Sequence, residues 1–133
     1  MACRNPIQQS FELAAERCDD LTPLVYHRLF AEHPEAQAMF RSQGGDLVKG
    51  SMLALTIEAL LDFAGDRSGH FRLIQSEAVS HDAYGTSRDL FVAFFAAIAG
   101  VLRELLGADW SDEIEAAWRR LLMELDGVVQ GVC

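Results

Sequence analysis

The sequence predicts an all-α single domain of six to eight helices, and three observations predict it. No stretch keeps the strict alternation of a half-buried strand. Apolar residues recur instead at steps of three and four, the spacing of one helix face. Cap residues, prolines and glycines separate these stretches where helices start and stop.

Asn5-Pro6 reads as an N-cap followed by proline in the first turn, where a missing N–H costs nothing. Ile7, Phe11, Ala14, Ala15 and Cys18 then share one face. Thr22-Pro23 repeats the device, with Asp20 as an earlier alternative start and Leu21, Leu24, Val25 and Leu29 on the inner side. His33-Pro34 ends that helix, because a residue before proline is pushed out of helical geometry. A short turn runs on to Phe40. Gly44-Gly45 marks a loop, and Asp46 caps a helix reaching about Ala64, with Leu53, Ile57, Leu60, Leu61 and Ala64 as its stripe. Gly65 to Gly69 is the next break. The following helix ends near Tyr84-Gly85, where glycine suits the left-handed position after a C-terminus. Ser87 caps a very apolar helix that stops at Gly107. Ser111 caps the last one, and Asp112 and Glu113 complement its positive end. Ile114, Trp118, Leu121, Leu122, Leu125, Val128, Val129 and Val132 keep helical register along it.

A chain of 133 residues, half of them apolar and 23% charged, has enough material for one real core. Its net charge of −9 repels phosphate backbones, so nucleic acid is not an expected partner. No polybasic segment is present to hold it on an anionic membrane. The most apolar run, Leu90 to Leu102, is interrupted by Arg103 and Glu104 and reads as a buried helix rather than a span. With no secretory leader pattern at its start, the expected location is cytoplasmic. Cys3, Cys18 and Cys133 are far apart, with no C-x-x-C, no zinc spacing and no C-x-x-C-H for covalent haem attachment.

His81 is the most informative residue. Phe71, Ile74, Ala78 and His81 step by three, four and three along one stripe of an otherwise acidic helix. A histidine there is either a core residue satisfied by a backbone carbonyl, or a ligand to a buried metal or haem iron.

The stretch Tyr26-His27-Arg28-Leu29-Phe30-Ala31-Glu32-His33-Pro34-Glu35, with Phe40 six residues after the proline, resembles the second and third helices of bacterial globins. Val79 through His81 to Gly85, followed by two long helices broken at Leu106-Gly107 and containing Trp118, resembles the proximal half of the same family. The likeness runs from about Leu21 to Val129 and is nearest to single-domain and flavohaemoglobin-type globins. It implies a globin-like fold around a pocket for non-covalent haem b.

Carried over position by position, the resemblance makes His81 the proximal iron ligand, its other nitrogen donating to a carbonyl one turn back at Glu77. It makes Phe40 the ring stacked on the haem, and Tyr26 the distal tyrosine whose hydroxyl donates to a bound gas. The alternative for Tyr26 is a core ring with its hydroxyl tied to the backbone. Lys49 and Leu53, one turn apart, fall at the two distal positions, and Ile57 continues the same wall. Lys49 departs from the family, where histidine or glutamine is usual. It either lays its stem over the haem edge with the ammonium in water or near a propionate, or ligates iron as the neutral amine. A tyrosine and a glutamate that support the proximal histidine in flavohaemoglobins align with Phe91 and roughly Cys133, so the strongly electron-donating arrangement is missing. Arg41 and Arg88 are propionate candidates that also read as ordinary solvated charges. His27, His33 and His70 are not expected as iron ligands.

The resemblance therefore implies reversible binding of dioxygen, nitric oxide or carbon monoxide, with no residue in a catalytic role. Nitric oxide dioxygenation or weak peroxidase activity is the enzymatic alternative, and it needs an external reductase because no G-x-G-x-x-G or flavin segment follows. A gas sensor, acting as a homodimer through a leftover apolar helix face, and a haem-free interaction module are the remaining alternatives.

Overall fold

The computed structural model describes residues 5–37, 46–65, 72–83 and 87–130. Six helices of eleven residues or more occur among them: α1 (Pro6–Arg17), α2 (Thr22–Glu32), α3 (Asp46–Ala64), α4 (Arg72–Ala83), α5 (Arg88–Leu106) and α6 (Asp112–Gln130). A further helical turn occupies residues 34–37, and a 3-10 turn joins Gly107–Asp109. No strand occurs among the described residues, so the all-α expectation holds.

Most helix starts follow the predicted caps. Asn5 Oδ1 accepts from the N–H of Gln8 at 2.8 Å, Ser87 Oγ from that of Leu90 at 3.1 Å, and Ser111 Oγ from that of Ile114 at 3.2 Å. Asp20 does not open α2. Its carboxylate instead accepts from the N–H of Thr22 at 3.0 Å, and hydrogen bonding from the Thr22 hydroxyl, then from that N–H, holds its pKa below the usual value. Two expected inner residues lie outside the core. Leu24 is exposed, because Val25, Tyr26 and Leu29 take the buried side of α2, and Ala15 is exposed on α1.

α5 is the hub: α1, α2, α4 and α6 all pack against it. Its Phe95, Ala97, Ile98, Val101, Leu102 and Leu106 are buried, alternating small and large residues so that neighbouring helices approach closely. With the turn after it, α5 is long and apolar enough to cross a membrane, longer than the Leu90–Leu102 run suggested. Here that apolar surface faces four other helices. Gly107 ends α5 with φ of +51°, a region side chains disfavour. The last carbonyls of α5, which lack helical partners, are met from α1. Arg17 Nη1 donates to Leu105 O at 2.6 Å and to Leu106 O at 2.9 Å, while its other nitrogen pairs with Asp109.

A buried polar relay pins α6 to α1. Trp118 Nε1 donates to Ser10 Oγ at 3.0 Å, and Ser10 donates to Ile7 O at 2.6 Å. The Phe11 ring meets Trp118 edge-on at 5.8 Å. At the other end of α6, Arg88 Nη1 donates to Val129 O at 2.8 Å.

Candidate functional site

α4 turns one stripe inward. Ile74 and Ala78 are buried on it, and His81 follows with its side chain 22% exposed. Nδ1 of His81 lies 2.7 Å from Glu77 O, one turn back on the same helix. A carbonyl oxygen only accepts, so the Nδ1 position carries the proton and the basic lone pair belongs to Nε2. The Glu77 carboxylate stands 3.6 Å from the same Nδ1. The Phe91 ring meets the imidazole edge-on at 4.9 Å between centroids. The imidazole is thus fixed in tautomer and in tilt by two independent contacts.

Tyr26 is buried on α2, where the helix period places it beside Val25 and Leu29. Its hydroxyl donates to the main-chain oxygen of Lys49 at 3.1 Å, tying α2 to α3. Its ring packs against Phe30 at 5.8 Å and Phe94 at 5.4 Å. Burial pushes the Tyr26 pKa well above its ordinary value, since a phenolate there would lose its hydration. Lys49 itself is half-buried, and its Nζ lies over the rings of Tyr26 at 5.8 Å and Phe30 at 5.4 Å. One turn further along α3, Leu53 is fully packed, and Ile57 is half-buried after it.

A single turn of α5 joins these two groups. Phe91 touches His81, Phe94 touches Tyr26, and Phe95 meets Phe91 edge-on at 5.5 Å. Sequence reasoning named Phe91 but not Phe94 or Phe95. Their i, i+3, i+4 spacing was the available signal, hidden in a helix that is apolar almost all round. Phe40, Arg41, His70 and Cys133 lie outside the described residues. Arg88 is anchored to Val129 O on α6 rather than extended into solvent. His27 is exposed, and His33 caps the end of α2 beside Glu35.

Among the described residues no three His, Cys, Asp or Glu side chains come together as a metal site. A porphyrin would bring the remaining donors to a metal held through His81. One imidazole with its lone pair on Nε2, held edge-on by the Phe91 ring, fits non-covalent haem b, and Leu53 and Ile57 on α3 add apolar side chains of the kind such a group needs.

A family model described as Globin matches residues 24–129. No curated protein and no solved structure matches the chain. The matched span begins inside α2, closes inside α6 and takes in Tyr26, Lys49, Leu53, His81 and Phe91. By that match and by its helical architecture, the chain belongs to the globin family.

Proposed function

We propose that this protein is a haem b protein that reversibly binds a diatomic gas (dioxygen, nitric oxide or carbon monoxide), with His81 as the axial protein ligand. The observation that carries this reading is the 2.7 Å contact between His81 Nδ1 and Glu77 O, which leaves Nε2 as the basic nitrogen. A hydrogen bond donated from Nδ1 also fixes the orientation in which Nε2 is presented. When bound, haem supplies an iron with a position for the gas.

The chain's own residues do the rest. Phe91 holds the imidazole edge, and because it has no hydroxyl it adds no second polar contact to the ring. Leu53, Ile57 and the Tyr26 ring offer apolar surface that excludes water, while Phe40 is assigned the stacking position by family resemblance. The Tyr26 hydroxyl gives its proton to Lys49 O at 3.1 Å, so reaching a bound gas requires that bond to break.

The test is the visible spectrum of the protein with haemin, recorded ferric, ferrous and with carbon monoxide. A Soret band that shifts with carbon monoxide is expected, lost in His81→Ala and regained by His81→Gly with added imidazole. Absence of haem uptake by the wild type would overturn the reading.

A further inference from the structure

Glu77 meets His81 in two ways, and the two have different physical meanings. Its main-chain oxygen lies 2.7 Å from Nδ1, a hydrogen-bond distance. Its carboxylate Oε2 lies 3.6 Å from the same nitrogen, too far for a hydrogen bond but close for a charge. The carbonyl and the Phe91 ring already fix the imidazole, so the carboxylate is not needed to hold it. What the side chain adds is a negative charge beside the ring.

No cation neutralises that charge. Among the described residues no lysine or arginine pairs with Glu77. His81 also stands in the last turn of α4, where carbonyl groups without helical partners carry partial negative charge. Both features place negative potential on the imidazole. Their source is α4 itself, independent of the positions held by Phe91 and Cys133.

We propose that Glu77 is a positioning residue for the iron's charge: its carboxylate acts through His81 to favour the ferric over the ferrous state of a bound haem. This rests on the haem reading proposed above. Ferric haem carries one more positive charge than ferrous haem, so a nearby anion lowers its free energy more. The Glu77 side chain is 54% exposed, and solvent screens part of the effect. The main chain of Glu77 therefore orients the histidine, and its side chain tunes it.

The experiment measures the reduction potential of the haemin-loaded protein, with an electrode supplying the one electron, at neutral pH and low ionic strength. Wild type, Glu77→Gln, Glu77→Asp and Glu113→Gln are compared. Glu77→Gln is nearly isosteric and leaves the carbonyl in place, so His81 keeps its hydrogen bond. It is expected to shift the equilibrium toward ferrous about fivefold, or about 40 mV upward for one electron. Glu77→Asp retains the charge and should fall between. Glu113 stands in the first turn of α6, beyond the end of α5 that is far from Phe91. Its loss removes the same net charge and should shift the equilibrium by less than about 1.5-fold.

Two further readouts separate charge from structure. The iron–histidine stretching band of ferrous Glu77→Gln should move to lower frequency than in wild type. The His81 ring-nitrogen NMR signals of the haemin-free variant should report the wild-type tautomer. Equal shifts in Glu77→Gln and Glu113→Gln would overturn the proposal, because general charge alone would then act. So would a changed tautomer, which would make the carboxylate the group that holds the ring. An unchanged potential in a variant that forms its Soret band overturns this proposal alone. A wild type that forms no Soret band overturns the haem reading, and this proposal with it.

Discussion

Tyr26 and Lys49 are locked to each other twice: hydroxyl to main-chain oxygen at 3.1 Å, and ammonium over ring at 5.8 Å. Tyr26→Phe removes the first link and keeps the ring contacts with Phe30 and Phe94. It should cost about 0.5–1.5 kcal/mol, the net worth of one hydrogen bond. The pH dependence has a definite sign. Burial raises the folded pKa of Tyr26 above its ordinary 10.0, so the unfolded chain ionises first as pH rises. The contribution of Tyr26 is full below about pH 10 and is lost above it. Urea unfolding at about pH 8 and about pH 11 should show a steeper loss for wild type than for Tyr26→Phe. Parallel losses would contradict the burial argument.

Ser10 has no exposed surface and serves only the relay from Trp118 to Ile7. Ser10→Ala leaves the buried indole N–H of Trp118 without its acceptor. The expected cost is about 1–3 kcal/mol, more than the loss of one average hydrogen bond, because an unpaired buried donor retains its full desolvation penalty. Denaturant unfolding followed by tryptophan fluorescence checks it. A change below about 0.5 kcal/mol would mean that water replaces the hydroxyl.

Gly100 presents opposing effects. A Cβ there would come within 2.4 Å of Arg28 Nε, so Gly100→Ala must displace the guanidinium. Arg28 pairs with Glu104 and more loosely with Glu32 at the surface, which is worth about 0–1 kcal/mol. Alanine gains about 1 kcal/mol over glycine inside a helix. The two nearly cancel, and the single variant should melt close to wild type. In an Arg28→Ala background nothing opposes the gain, so adding Gly100→Ala should raise stability by about 1 kcal/mol.

Glu115 in the first turn of α6 accepts from Trp110 Nε1 at 2.8 Å and from Arg119 Nε at 2.7 Å. The Trp110 hydrogen bond, then that of Arg119, holds its carboxyl below the usual value of 4.5. A depressed folded pKa stabilises above the unfolded value and ceases to do so as pH falls through the folded one. Glu115→Gln should therefore lower stability at neutral pH, by less than about 1 kcal/mol for a pair this close to solvent. The gap should close as pH falls below the ordinary 4.5 and through the lowered folded value. A gap that persists in acid would assign the effect to packing.

The caps and the helical periods were legible because they are local. Asn5, Ser87 and Ser111 need only their own following N–H groups, and Ile114, Trp118, Leu121 and Leu125 recur on one face. Leu24 misled because its spacing fits the stripe of α2, while the neighbours on α5 that decide burial are distant in sequence. The site was legible in part for the same reason. His81 and Glu77 share one helical turn, so their contact follows from spacing. The Tyr26–Lys49 lock and the Phe91–Phe94–Phe95 seam depend on which helices meet, and nothing in a single stretch reports that. Ser10 reads as an ordinary helix-face serine until α6 brings Trp118 to it.

Haemin should stabilise the wild-type fold and spare His81→Ala. A ligand that binds only the native state adds about 2.7 kcal/mol when its free concentration is roughly a hundred times Kd. His81 is partly exposed, and losing its bond to Glu77 O should cost the haemin-free protein only about 1 kcal/mol. The two proteins should therefore melt within roughly 3–6 °C of each other without haemin. Haemin should then raise the wild-type melting temperature progressively and move the variant far less. Haemin adsorbed on general apolar surface would shift both equally, since Phe91, Phe94 and Phe95 are present in each. Equal shifts would make His81 a core histidine satisfied by Glu77, and separate shifts would make it the axial ligand.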